Sequence, residues 1–209
     1  MRNMKIDARQ TVQVGLYEVN CSIIGIGGEA WIVDPGSESE RIVALCRKAN
    51  LTPGAVLLTH AHFDHVGALP DLAAAFPDMP IYIGKYDMKV IDHPMNQMPP
   101  EYPCVAKPAN LRDIREAPAA FPGFAFQVLE TPGHTPGSVC LKFGDLLLSG
   151  DTLFAGSCGR TDFPGGSMAA MRRSLAALAT LPPETAVIPG HGPATTIGRE
   201  VAENPFMER

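Results

Sequence analysis

Residues 59–67 read THAHFDHVG, placing three histidines and an aspartate within six positions, immediately after the apolar run AVLL at 55–58. The same grammar recurs three more times. TPGHTPG carries His134, SGDT carries Asp151 and IPGHGP carries His191, each behind a run that reads as a strand. Apolar strands that stop again and again at His or Asp, with glycine beside them, deliver those side chains to one edge of a sheet. In layered α/β folds that edge is where sites assemble, because strands fix positions and loops leave space for a ligand. No other feature constrains the fold as much.

The remaining pattern is that of an α/β chain. Segments 10–17, 20–26 and 29–33 read as short β-branched strands, with Gly27-Gly28 as a turn between the last two. Segment 37–50 has helical spacing, with Ile42, Val43, Leu45 and Cys46 on one side. A strand at 55–59 leads into a helix from 64 to 76, then a strand at 81–83 and a short helix at 85–91. Residues 93–122 are rich in proline and lack periodicity, which predicts a long irregular loop of the kind that is often functional. Strands resume at 126–130, 138–143 and 146–149. A helix at 167–181 follows, its Met168, Met171, Leu175 and Leu178 forming a core stripe, then a strand at 186–189 and a short helix near Gly198. Helices covering sheets in one domain are the expected result.

Composition narrows the function. With 209 residues the chain can bury a core without help from a metal or disulfide. A net charge of −5 and the absence of a basic run argue against nucleic acid and anionic membranes as partners. The N-terminus lacks an apolar stretch of signal-peptide length, and no segment reaches the length of a membrane span. Five scattered cysteines (Cys21, Cys46, Cys104, Cys140 and Cys158) form no Cys-x-x-Cys pair, which fits reduced thiols in a cytoplasmic protein.

His60 and His62 lie two apart, so on an extended segment they point the same way. Asp64 and His65 fall where the chain turns into a helix and can aim at a neighbouring point. Two ligand groups for two cations, held together by a bridging carboxylate, is the natural arrangement. A lone His-x-His would more often be a pair of polar residues at the surface, but four segments ending in His or Asp together outweigh that reading. His93 has no such company and reads as a loop histidine. GIGGEA at 25–30 satisfies the dinucleotide fingerprint, yet a strand follows it rather than a helix, so it is a hairpin turn. Nothing in the sequence lowers the pKa of Cys158, which argues against a nucleophilic role.

The combination HxHxDH, then a His, an Asp and a final His, resembles the metallo-β-lactamase superfamily. The likeness runs from the strand at 29–33 with its VDPG turn to PGHGP at 189–193. It implies an αββα sandwich of two mixed sheets flanked by helices, formed as one domain over 1–209, with the site at one sheet edge. Carried over residue by residue, His60, His62 and His134 form one metal site. Asp64, His65 and His191 form the other, and Asp151 bridges them. Asp64 and Asp151 are then the catalytic carboxylates, and Asp34 matches a supporting position that steadies the ligand loop. Two divalent cations are implied, zinc first, with iron or manganese as alternatives. The zinc β-lactamases proper usually carry cysteine where Asp151 stands, which argues against that branch.

The implied activity is hydrolysis by a metal-bound hydroxide, with a thiolate as leaving group. The segment SCGRTDF at 157–163 borders the expected pocket, and it resembles the glutathione-contacting loop of glyoxalase II relatives. On that likeness Cys158, Gly159 and Arg160 contact substrate, with Arg160 gripping a carboxylate. The alternative for Arg160 is a pair with Asp162. The ending TTIGREVAENPF resembles small glyoxalase II-like proteins, which lack the helical C-terminal domain of full-length glyoxalase II. A thioester such as S-lactoylglutathione is the expected substrate. CGRTDF also occurs in persulfide dioxygenases, where residues matching His60, His134 and Asp151 bind one iron, so that activity ranks second. A lactonase, a β-lactamase or a non-catalytic binding module ranks below both.

Overall fold

Side chains alternate along the strands and sort the core into layers. The computed structural model describes residues 6–94, 105–117 and 126–207. One sheet runs in the order β1 (Ile6–Val14), β2 (Val19–Ile26), β3 (Glu29–Val33), β4 (Thr52–Leu57), β5 (Ile81–Ile83) and β6 (Leu111–Asp113). Its first three strands are antiparallel, and the pairs from β3 to β6 are parallel. The other sheet runs β13 (Thr195–Thr196), β12 (Ala186–Pro189), β9 (Leu146–Gly150), β8 (Val139–Phe143) and β7 (Phe126–Glu130). Only β9 and β12 pair parallel there. A separate hairpin joins β10 (Leu153–Phe154) to β11 (Ser157–Cys158).

Ala30 and Ile32 of β3 face one way, onto Ile42 and Cys46 of helix α1 (Ser39–Lys48) and Leu69 and Leu72 of α3 (Leu69–Ala75). Trp31 and Val33 face the other way and pack with Leu141, Phe143 and Leu148 of the second sheet. Cys140 and Leu147 turn from that interface toward Met171, Leu175 and Leu178 of α4 (Met168–Leu178) and Ile197 of α5 (Ile197–Glu203). Helices, sheet, sheet, helices: the αββα sandwich. Burying one Val, Leu, Ile, Phe or Met side chain contributes about 1.5–3 kcal/mol, so these layers position both sheets before any ligand is considered. No helix among the described residues is long and apolar enough to cross a membrane.

Several elements differ from the sequence reading. β1 ends at Val14 instead of continuing to residue 17, because Gly15 and Glu18 take positive φ in a turn closed by Glu18 N–H donating to the Gly15 carbonyl at 3.2 Å. The helix expected over 64–76 is two helices, α2 (Phe63–Val66) and α3. Pro70 stands in the first turn of α3, and a continuous helix would drive its ring into the carbonyl four residues back. Residues 85–91 hold only one tight turn of helix, Asp87–Lys89. The expected 93–122 loop contains β6 and a helical turn at Ile114–Glu116, while residues 95–104 and 118–125 lie outside the described set.

Candidate metal centre

Four strand ends meet at one edge of the sandwich. The chain leaving β4 supplies His60 and His62, and α2 then turns Asp64 and His65 inward. β7 leads to His134, β9 to Asp151 and β12 to His191. The two sheets are tied here, since Val139 N–H donates to the Thr59 carbonyl at 2.9 Å. Gly190 N–H donates to the Gly150 carbonyl at 2.8 Å, setting Asp151 beside His191. Glycine is required at 190: a Cβ there would collide with Asp151 Oδ1 and His65 Cε1.

All seven proposed ligands come together, and three donor sets have spacing that could hold an ion: His60, His62 and His134; His60, His65 and Asp151; Asp64, His65 and His191. His62 Nδ1 and His134 Nε2 face each other at 2.8 Å. Asp151 Oδ2 lies 3.5 Å from His134 Nε2 and 3.8 Å from His191 Nε2, and its Oδ1 lies 3.4 Å from His65 Nε2. Asp64 Oδ2 is 3.2 Å from His191 Nε2 and 3.9 Å from His65 Nε2. Asp151 thus stands between the two groups.

Three outward ring nitrogens have acceptors of their own. His134 Nδ1 donates to the Arg160 carbonyl at 2.7 Å and His191 Nδ1 to the Tyr17 carbonyl at 2.8 Å. Thr59 Oγ1 gives its proton to Asp34 Oδ2 at 2.7 Å and so accepts from His60 Nδ1 at 3.2 Å. His65 Nδ1 lies 3.1 Å from Asp34 Oδ2. Among the described residues, buried His60 Nε2, His65 Nε2 and Asp151 Oδ1 have no hydrogen-bond partner. Orphaned buried polar atoms are costly unless something binds them. Converging imidazole and carboxylate donors suit zinc or iron.

Electrostatics divide the cluster. Burial, reinforced by the other imidazoles, holds His60 far below the ordinary histidine pKa, and burial with His134 as neighbour lowers His62 to about 3. Burial also opposes charge on His65 and His191, yet the carboxylates around them outweigh it and raise both. The same pairs keep Asp64 and Asp151 ionised against the burial that favours their neutral forms.

Asp34 accepts from Thr59 N–H at 2.8 Å as well as from its hydroxyl at 2.7 Å, next to His60. Asp87 was not singled out in the sequence. Fully buried, it accepts from Ala61 N–H at 3.0 Å, Thr135 Oγ1–H at 2.8 Å and Gly137 N–H at 2.8 Å. One carboxylate therefore braces the loop of His60 and His62 against the loop of His134. Its signal was there to read: IYIGKYD is another apolar strand followed by glycine and a carboxylate. Asn20, also unremarked, donates from Nδ2 to the Pro189 and Gly192 carbonyls, both at 2.9 Å, bracketing His191.

A cavity of about 590 Å³ opens over this cluster, walled by Tyr17, Phe63, Phe154 and Phe163, with Cys158 and Arg160 at its side. Arg160 is exposed, with Nε and Nη2 each 2.7 Å from an Asp162 oxygen and its guanidinium 3.8 Å from the Phe163 ring centre. The Asp162 pair weighed as an alternative is present. Burial raises the Cys158 pKa, so this half-buried thiol stays protonated at neutral pH. Gly159 permits the close approach of this loop to Asp151, whose carbonyl a Cβ would strike.

A family model described as the metallo-β-lactamase superfamily matches residues 14–191. The chain is 38% identical over 200 residues to the probable metallo-hydrolase YqgX of Bacillus subtilis, covering 93% of this chain and 94% of that one. It is 34% identical over 206 residues to the hydroxyacylglutathione hydrolase GloC of Haemophilus influenzae, covering 95% and 97%. Among solved structures, the BLEG-1 B3 metallo-β-lactamase superposes with a TM-score of 0.87 at 36% identity, over 96% of this chain and 99% of that one. TTHA1623 in a di-iron-bound form superposes with a TM-score of 0.82 at 41% identity, over 94% and 99%.

Proposed function

The chain belongs to the metallo-β-lactamase superfamily, and from that premise we propose that it is a metal-dependent thioesterase of the hydroxyacylglutathione hydrolase kind. One observation carries the reading: Asp151 lies within 3.4–3.8 Å of His65, His134 and His191, between the two outer donor sets, and the inward atoms include three buried ones without partners. We assign His60, His62 and His134 to one cation, Asp64, His65 and His191 to the other, and Asp151 to both. When bound, such cations supply Lewis acidity toward a carbonyl and bring the pKa of a water ligand toward neutrality.

The chain's own residues do the rest. Asp64 and Asp151 face the cavity as ionised carboxylates. Tyr17, Phe63, Phe154 and Phe163 wall the cavity above the donors, which suits an apolar group held with its carbonyl toward them. Arg160 at the rim can reach a substrate carboxylate by sharing its guanidinium with Asp162. Zinc is the first choice of metal, and the di-iron form of a similar protein supports iron. Among the described residues Cys21, Cys46, Cys140 and Cys158 are free, which suits a reducing cytoplasm.

A second reading, a one-iron persulfide dioxygenase, is favoured by the loop sequence CGRTDF. That enzyme would use His60, His134 and Asp151 and would not need His191 for its metal. Metal analysis of purified protein, with assays on S-lactoylglutathione, glutathione persulfide and a β-lactam, separates the readings. We expect thioester hydrolysis and no oxygen uptake. His191→Ala should lower hydrolysis at least roughly a hundredfold, about 2.7 kcal/mol at 1.36 per decade. Rapid oxygen uptake by the iron-loaded wild type, undiminished in His191→Ala, would install the second reading.

A further inference from the structure

The C-terminal segment TTIGREVAENPF takes no part in the donor cluster, yet it contains a buried carboxylate. Glu200 on α5 is only 1% exposed and Asn204, just after the helix, 2%. A carboxylate taken out of water needs donors to replace its solvation. Here they come from three places. Glu200 Oε2 accepts from Gly156 N–H at 2.7 Å, at the tip of the β10–β11 hairpin, and from Asn204 Nδ2 at 2.8 Å. Oε1 accepts from Thr195 Oγ1–H at 2.6 Å, on β13, the neighbour of the strand that leads to His191. Asn204 Nδ2 donates to the Ser157 carbonyl at 2.9 Å and reaches the Phe154 carbonyl at 3.4 Å.

The hairpin so gripped puts Phe154, Ser157 and Cys158 into the cavity wall and contributes no donor to the metal cluster. Phe154 stands opposite His191, with ring centres 6.3 Å apart. We propose that Glu200 and Asn204 are positioning residues that hold this hairpin against the His191 strand and thereby set the width of the substrate cavity. The role rests on the reading that this cavity takes the substrate. A network that merely added stability would act on the whole fold. This one should act on one wall. Nothing in it touches a donor, so metal content should not change.

The test uses metal-loaded full-length protein with Asn204→Ala and Glu200→Ala, reading backbone amide exchange by NMR beside metal content and thioester kinetics. We expect the Gly156 amide to exchange roughly tenfold faster or more, relative to Leu57 and Leu148 in the sheet cores. Metal content should hold at the wild-type value, and KM should rise by a larger factor than kcat falls. If Glu200→Ala does not fold, Asn204→Ala carries the test, since it removes the links to the hairpin carbonyls, the brace on Glu200 and the acceptor of the Phe206 N–H at 3.0 Å, and leaves the buried carboxylate in place. Unchanged Gly156 protection, or an equal rise at all three amides, overturns the clamp. A released hairpin with unchanged KM overturns its control of the cavity. Should the wild type hydrolyse no thioester, the functional reading falls while amide exchange still decides the clamp.

Discussion

Asp151 and Asp34 stand between two donor groups that otherwise differ. His60, His62 and His134 are buried at 1%, 7% and 2% exposure, and Asp34 and Asp87 brace their loops from behind. In the other group the His191 side chain is 27% exposed and Asp64 16%, and the outer nitrogen of His191 is held by a turn whose tip, Leu16, is 80% exposed. Charge follows the same division. Burial keeps the first group's His60 and His62 neutral, whereas carboxylates favour the protonated form of His65 and His191 in the second. One group is built into the core and preorganised. The other has His65 buried beside Asp34 but carries Asp64 and His191 at the rim, and it must trade protons for its cation.

The largest break removes what the groups share. Asp151→Ala should abolish retention of both cations, because its two oxygens face His134 and His191 on one side and His65 on the other. Elemental analysis finding two equivalents in that variant would sink the bridging assignment. A more selective break is Asp87→Asn. Asparagine can accept on one side only, and its amide would point a donor at either Gly137 N–H or the pair Ala61 N–H and Thr135 Oγ1. Supporting hydrogen bonds behind ligands are typically worth about 10–100-fold in metal affinity. That loss should fall on the His60, His62 and His134 group alone. Competition titrations with a chelator would show equal weakening of both cations if Asp87 merely stabilises the fold.

This contrast explains what was legible beforehand. The strand-to-ligand junctions are local, and each was readable as an apolar run stopping at His or Asp with glycine nearby. The supports are non-local. Asp87 lies 26 residues from Ala61 and 50 from Gly137, and Asn20 reaches across 169 residues to Pro189. No periodicity links such positions. The same holds for the smallest strands: β10, β11 and β13 are two residues each, too short for a pattern, yet two of them form a cavity wall. Pro70 was visible, and the break it forces between α2 and α3 was open to inference from its ring alone.

Titration sharpens the comparison without altering a residue. In metal-free protein His62 has a folded pKa near 3, below the unfolded value of about 6.5, so the unfolded chain binds more protons between them. Its contribution to stability is complete above about 6.5 and is lost as pH falls through that window. His65 and His191 have raised folded pKa values, so theirs is complete below about 6.5 and is lost as pH rises through the folded pKa. The chelated protein should therefore melt at its highest temperature near about pH 6.5, where the two contributions meet. Near neutral pH the second group should release about one proton or more as it takes its cation, and the first almost none. Calorimetric titrations in buffers of different ionisation enthalpy count those protons. Equal counts for the two steps would end the distinction.

The smallest effect is expected outside both groups, at Arg160. Its guanidinium is exposed, paired to Asp162 at 2.7 Å and laid over Phe163. Exposed ion pairs in water are weak, so exchanging Asp162 for a substrate carboxylate gains little and loses little. A contact made equally to ground state and transition state alters KM and leaves kcat in place. Arg160→Ala should thus raise KM for a glutathione thioester by about two- to fivefold with kcat unchanged. The backbone carbonyl at 160, which holds His134, survives the substitution, so metal content should survive as well. Phe163 offers the internal control, since its ring lies 5.5 Å from that of His62. If Arg160 only props that ring, Arg160→Ala will lower kcat and leave KM alone. That outcome would move Arg160 from the substrate to the scaffold.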